Sequence, residues 1–186
     1  FKNLKIRSIG PANMSGRITA IDAVVSNPKT IYIGAASGGV WKSENGGSAW
    51  RPVFDAQPTQ NIGSIAIQQD NSSVVWVGTG EGNPRNSVNL GMGVFKSLDA
   101  GVTWQRVGLE NTRSIHRLLI DPRNPSVVYA GAMGDPFAAT KERGVYKTTD
   151  GGSTWKQILF TNELSGVADM AMDPANPNKI FAAMYE

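Results

Sequence analysis

The chain has 186 residues, 40% hydrophobic and 18% charged, so it is long enough to bury a core and is too apolar for a disordered polyelectrolyte. Its net charge of +3 comes from basic residues scattered singly among acidic ones, which excludes the basic stripe of a nucleic-acid-binding protein. With no cysteine and no apolar run of about 20 residues, disulfides, thiolate metal sites and a membrane span are also excluded.

Short strands are predicted along the whole chain, because glycine and proline recur at regular intervals. Residues 5–9 form the first strand and resemble strands that later close each unit, so we expect 1–15 to be an outer strand separated from its own unit. Four units follow, each opening with two apolar strands, A and B, around an Asn/Pro-rich turn. Strand A is predicted at 17–21, 64–67, 118–121 and 170–173, and strand B at 30–34, 74–78, 127–131 and 179–183.

Three copies of one segment follow a Gly-Val-aromatic-Lys strand, C, and each ends in a tryptophan that starts strand D. In each turn an Asn or Asp side chain can accept backbone N–H groups, and a Ser or Thr hydroxyl can support the turn. A glycine supplies a φ that residues with a β-carbon resist. We therefore expect a structural role for Ser43, Asn45, Gly47, Trp50, Ser97, Asp99, Gly101, Trp104, Thr148, Asp150, Gly152 and Trp155. With only one or two oxygen side chains per turn, no metal is expected.

Four antiparallel strands and a period near 50 residues are typical of a β-propeller blade. The predicted fold is all-β, a partial propeller with the outer strand of the closing blade at 1–15, blades at 16–57, 58–111 and 112–163, and two strands of a fourth at 164–186. The ring would be completed by the remainder of the propeller or by a second chain, since open strand edges favour pairing. An open array is the alternative to a ring.

Strand alternation places the A–B and C–D turns on one face of the propeller and the B–C and D–A loops on the other, where we expect the ligand. The candidate ligand-binding residues on that face are Arg17, Glu81, Asn83, Arg85, Arg113, His116, Arg117 and Asp135. The arginines could hold a carboxylate, or could instead pair with loop acids and cap loop carbonyls.

Glu81 and Asp135 are the loop acids that could form a hydrolase pair, although a partner could equally lie outside this chain. His116 has no nucleophile motif near it, which favours a structural histidine over a catalytic base. The glycine-rich segment 78–82 is not followed by a helix, so no nucleotide or other cofactor is expected.

The three turns resemble the Asp-box (BNR) repeats of sialidases, GH74-type xyloglucanases, photosystem II assembly propellers and the VPS10/sortilin domain, with Asn45 and Ala49 departing from the pattern. Segments 8–18, 37–42 and 78–81 are most similar to the N-terminal half of bacterial VPS10/sortilin-like BNR proteins, often labelled glycosyl hydrolases. The resemblance implies a propeller, and such folds host both enzymes and binding modules.

These observations favour a non-catalytic propeller of a secreted, periplasmic or cell-surface bacterial protein that binds protein or glycan on the B–C and D–A loops. The alternative is an Asp-box glycoside hydrolase of sialidase or xyloglucanase type with part of its site elsewhere. An assembly scaffold is a third possibility and would lack a convergent pair of carboxylates.

Overall fold

The computed structural model describes residues 17–81 and 88–186. In this part the chain forms antiparallel sheets and one short 3₁₀ helix, Glu110–Thr112, so the predicted all-β class is confirmed. The predicted outer strand in 1–15 lies outside the described residues.

We call the three four-stranded sheets the first, second and third blades, and the last two strands the terminal sheet. The first blade comprises β1 (Ile18–Ala23), β2 (Ile31–Ala35), β3 (Gly39–Ser43) and β4 (Arg51–Pro52). The second comprises β5 (Ile62–Ile67), β6 (Val75–Thr79), β7 (Val94–Ser97) and β8 (Gln105–Arg106). The third comprises β9 (Ile115–Ile120), β10 (Val128–Ala132), β11 (Gly144–Thr148) and β12 (Lys156–Leu159), and the terminal sheet contains β13 (Gly166–Met172) and β14 (Ile180–Tyr185).

The first strand of each sheet lies against the first strand of the next, so β1, β5, β9 and β13 form the inner side of the array. Each inner strand contains a β-bulge at the same place, where one residue is skipped in the pairing with the second strand. The extra residues are Thr19, Gly63, His116 and Ala168. Because a bulge bends its strand and turns side chains aside, it determines which residues the inner strands present at the loop end.

Backbone hydrogen bonds show that the turns and loops between strands lie on two opposite faces of the array. On one face, the turn after each C strand donates an N–H to the A–B turn of its own blade: Gly46 to Lys29 O at 3.0 Å, Ala100 to Ser73 O at 2.8 Å and Gly151 to Ser126 O at 3.0 Å. On the other face, B–C and D–A loops are joined, for example by Met133 N–H to Ser114 O at 2.9 Å and Thr140 N–H to Glu163 O at 3.0 Å. We call the second the loop face.

The repeated turns are residues 43–50, 97–104 and 148–155, and the tryptophans that end the second and third of them hold neighbouring blades together. The indole N–H of Trp104 donates to Val53 O of the first blade at 2.7 Å, and that of Trp155 donates to Val107 O of the second blade at 2.7 Å. The rings also meet aromatic residues edge-on, Trp104 with Phe54 at 5.1 Å and Trp155 with Trp76 at 6.4 Å between centroids. Each tryptophan therefore places apolar area and a satisfied polar atom in one interface.

Side-chain hydrogen bonds close each repeated turn in the same way. In the second turn, Asp99 Oδ1 accepts the Thr103 N–H at 2.8 Å, its Oδ2 accepts the Thr103 hydroxyl at 2.6 Å, and the Gly101 N–H donates to Ser97 Oγ at 2.8 Å. The first turn keeps the bond from the Ala49 N–H to Asn45 Oδ1, at 2.8 Å, but Ala49 has no hydroxyl for a second. The turns are thus Asx-type folding devices with local acceptors and donors.

These bonds make the second turn sensitive to acid. Hydrogen bonds from Thr103 and Ser97 lower the pKa of Asp99 to about 2, from the usual 3.8. Since the folded-state pKa is the lower one, the stabilising effect of the ionised form is complete above about pH 4 and is lost as the pH falls toward 2. We expect Asp99→Asn, which copies the first turn, to make the free energy of unfolding less dependent on pH in this window. Urea unfolding at pH 2.5, 3.5 and 5 measures this, and parallel profiles for the two proteins would contradict it.

Candidate functional site

The loop face carries a buried ion pair that joins the first two blades. Arg17 Nη2 contacts Glu81 Oε1, with Glu81 completely buried and the arginine side chain 38% exposed. The Glu81 backbone is also tied down, because its N–H donates to Asn89 O at 3.1 Å and its carbonyl accepts the Ser114 hydroxyl at 3.0 Å from the third blade. Glu81 thus connects three blades, with its carboxylate buried against Arg17.

Asp135 stands on the long B–C loop of the third blade, in different surroundings. Its Oδ1 accepts the Phe137 N–H at 2.9 Å. Buried Arg143 braces the same loop by donating to Met133 O at 2.6 Å, to Ala138 O at 2.7 Å and to the Asp135 carbonyl. Burial lowers the pKa of Arg143, and its cost is offset by these carbonyl partners. The brace holds Phe137 at the loop tip with 66% of its surface exposed.

A second ion pair lies on the inner strands, just past the bulges. Arg117 Nε donates to Asp169 Oδ1 at 2.6 Å, between the third blade and the terminal sheet, with 47% and 59% of the side chains exposed. The Arg117 hydrogen bond lowers the pKa of Asp169. Neighbouring His116 has a pKa lowered by burial, an effect that Asp169 opposes, so it is neutral at physiological pH.

Arg113 is exposed and has a positive φ of +63°, directly before the third blade. Across residues 17–81 and 88–186 its guanidinium takes part in no ion pair. Asn83 and Arg85, the other predicted ligand contacts, lie outside the described residues. Of the predicted arginines that the structure describes, Arg17 pairs with Glu81 and Arg117 pairs with Asp169, whereas Arg113 is exposed and takes part in no ion pair among the described residues.

Three residues of the loop face were not among the sequence-predicted candidates. Asp169 occupies the same place in β13 as Arg117 in β9, so an alignment of the four inner strands would have indicated the pair. Phe137 carried a weaker signal, as an aromatic residue in a long polar loop. Arg143 carried none, because its partners are backbone carbonyls.

Within the described segments, no three His, Asp or Glu side chains come together in a way that could hold a metal ion. The same segments contain no helix of the length and apolarity needed to cross a membrane.

Two curated relatives are xyloglucanases. Xgh74A of Acetivibrio thermocellus is 24% identical over 170 residues, which cover 71% of this chain and 18% of that protein. The xyloglucanase of Hypocrea jecorina is 23% identical over 179 residues, covering 85% of this chain and 20% of that one. The chain spans about a fifth of the length of these relatives. No family model matches it.

Solved structures with a similar fold include the GH74 enzyme of Niastella koreensis, with a TM-score of 0.67, 23% identity, and coverage of 88% of this chain and 24% of that one. An ancestral GH74 enzyme gives a TM-score of 0.66 at 23% identity, covering 90% and 22%. YCF48 bound to D1 peptide gives 0.60 at 12% identity, covering 89% and 48%. The chain has the propeller fold of these proteins. They support a β-propeller family and not specifically the VPS10/sortilin-like proteins.

Proposed function

We propose that this chain is the glycan-binding part of a β-propeller and holds its ligand on the loop face without a complete catalytic pair. The observation that carries the proposal is Phe137, exposed on a loop that buried Arg143 holds rigid. An exposed aromatic ring on a fixed scaffold offers an apolar surface to a sugar ring, and guanidinium and carboxylate groups on the same face can bind its hydroxyls. The xyloglucanase relatives favour glycan over protein as the ligand.

Arg113 and the exposed Arg117–Asp169 pair supply the polar contacts in this proposal. Both side chains of the pair are about half exposed to solvent. Replacing the hydrogen bond between them by hydrogen bonds to a sugar therefore costs little free energy. Glu81 is assigned a structural role, because a completely buried carboxylate in an ion pair is not available to substrate.

Binding of oligosaccharides from xyloglucan tests the proposal, with mannan oligosaccharides as the comparison and calorimetry as the measurement. We expect Phe137→Ala and Arg117→Gln to raise Kd for the xyloglucan fragments about tenfold, or about 1.4 kcal/mol. Phe181→Ala is the matched control, since Phe181 is 57% exposed but stands at the end of the terminal sheet next to its A–B turn, on the face opposite to the loop face. Wild-type affinity in Phe137→Ala, or no binding at millimolar concentration, would overturn the proposal.

A glycoside hydrolase is the second candidate, favoured by the same two xyloglucanases. In that case Asp135 is the loop acid to test, since Glu81 is inaccessible. Release of reducing ends from xyloglucan that is abolished in Asp135→Asn would establish it. If wild-type protein and variant both release no sugar, this candidate is dropped.

The remaining expectations belong to the same proposal. They are a secreted, periplasmic or cell-surface location, a VPS10/sortilin-like affiliation, the blade boundaries predicted from the sequence, and a ring completed by further propeller or by a second chain. The absence of a cofactor is also part of the proposal.

A further inference from the structure

A groove of about 640 Å³ runs along the outer rim between the second and third blades. One wall is β8 with the end of the second repeated turn, and the other is the third repeated turn. Its volume is in the range of ligand pockets, about 300 to 1,000 Å³. The groove involves the outermost strand of the second blade, whereas the proposed glycan site lies on the loop face.

The second repeated turn is unusually apolar where it meets this groove. Leu98 and Val102 are 66% and 71% exposed, and Leu98 lines the groove. The corresponding residues of the other turns are polar: Glu44, Ser48, Thr149 and Ser153. The fold therefore does not require aliphatic side chains at these two positions. Their exposure to water is unfavourable and contributes nothing to the structure of the turn.

This apolar turn is held in place by the A–B turn of its own blade and by the first blade. The Ala100 N–H donates to Ser73 O at 2.8 Å, and the Tyr32 hydroxyl donates to Ala100 O at 2.9 Å. Leu98 and Val102 thus stand on a rigid base, which limits the entropy lost when a partner covers them.

Two cations, Lys96 and Arg106, and one carboxylate, Asp150, line the groove. The carboxylate already accepts the hydroxyls of Thr148 and Thr154 and the Thr154 N–H at 2.6 to 2.9 Å, which leaves the two cations as the charged groups with hydrogen bonds to give. Lys96 Nζ donates to Gly151 O at 3.0 Å and has further N–H groups to give. Arg106 is 42% exposed, and its ion pair with Glu110, at 3.3 Å, lies in water.

We propose that this groove binds an extended segment of a partner protein in which acidic and aliphatic residues alternate. β8 is the edge of its sheet, so a partner strand can pair with its outer backbone groups. Alternate side chains of such a strand then meet the cations, Arg106 and Lys96, and the aliphatic surface of Leu98 and Val102.

The two aromatic rings that line the groove, Trp104 and Trp155, are already engaged in packing between blades, which favours a peptide over a sugar. Trp104 packs edge-on against Phe54 and Trp155 against Trp76, and their indole N–H groups donate to Val53 O and Val107 O. The exposed apolar surface beside the groove is aliphatic, which suits side chains of a peptide better than the face of a pyranose.

The test uses an acetylated, amidated heptapeptide of alternating Glu and Val, and a second in which Lys replaces Glu, titrated into the chain and followed by NMR. We expect saturable shifts at residues of the groove with the acidic peptide and at least tenfold weaker binding of the basic one. Arg106→Glu should reverse this preference, and Leu98→Ser should weaken binding of the acidic peptide. Arg51→Glu, a charge reversal at an exposed arginine of β4, is the matched control.

Equal binding of both peptides, no saturation at millimolar concentration, or an unchanged preference in Arg106→Glu overturns the proposal. Shifts at the groove with xyloglucan oligosaccharides and none with peptide would overturn it in favour of a glycan. Phe137→Ala should leave peptide binding unchanged, so this result is separate from the outcome on the loop face.

Discussion

Replacing Trp104 or Trp155 by alanine is expected to lower the free energy of unfolding by about 3 to 4 kcal/mol, and replacing Trp50 by about 1 kcal/mol. The first two rings fill the interfaces between blades and donate to Val53 O and Val107 O, so their loss leaves a cavity and an unpaired carbonyl. Trp50 holds the same place in the repeat but is 37% exposed. The three variants thus separate the role of the turn from that of the interface.

Urea unfolding followed by far-ultraviolet circular dichroism measures these differences without depending on tryptophan emission. The slope with denaturant should stay unchanged for a valid comparison. Equal losses in all three variants would show that the tryptophans stabilise their own turns rather than the contacts between blades.

Arg17→Ala is expected to cost about 3 kcal/mol, because it leaves the Glu81 carboxylate buried without its counter-charge. This is the lower end of the range for buried pairs, since Arg17 itself is 38% exposed. Adding Glu81→Gln to Arg17→Ala should recover part of the loss, because a neutral amide costs less to bury than a carboxylate.

A double-mutant cycle measures the coupling between the two residues. The matched control is Arg51→Ala, which removes a pair with Glu44 at 3.6 Å in which both side chains are at least half exposed, and should cost about 0.5 kcal/mol or less. If the double variant is as unstable as the sum of the single ones, the two residues are not energetically coupled, which would contradict the stabilising role assigned to the pair.

The strands could be predicted from the sequence because each strand pattern occurs three or four times along the chain. Strand B of the third unit, for example, was predicted at 127–131 and is observed as Val128–Ala132. The inner strands were less accurate. β9 begins at Ile115, three residues before the predicted start at 118, because a bulge at His116 interrupts the alternation of apolar and polar residues that defines a strand.

The loop face was harder to predict because its contacts join residues far apart in sequence. Arg17 and Arg117 were grouped by type and by predicted face, yet each pairs with an acid of a neighbouring sheet, Glu81 or Asp169. The two pairs are assigned different roles because Glu81 is buried and Asp169 is exposed. A single sequence gives little information on burial in loops. Whether Asp135 and the arginines contact a ligand stays a prediction.

The contacts between blades also determine where the chain opens first. In the second blade, β5 and β6 are buried along their whole length and pack against a core on either side, whereas β1 and β14 leave Ile21 and Phe181 largely exposed. When stability resides in interfaces between neighbouring units, a unit with two neighbours outlasts a unit with one. In the 186-residue chain on its own, amide protons of β5 and β6 should therefore exchange with solvent more slowly than those of β1 and β14.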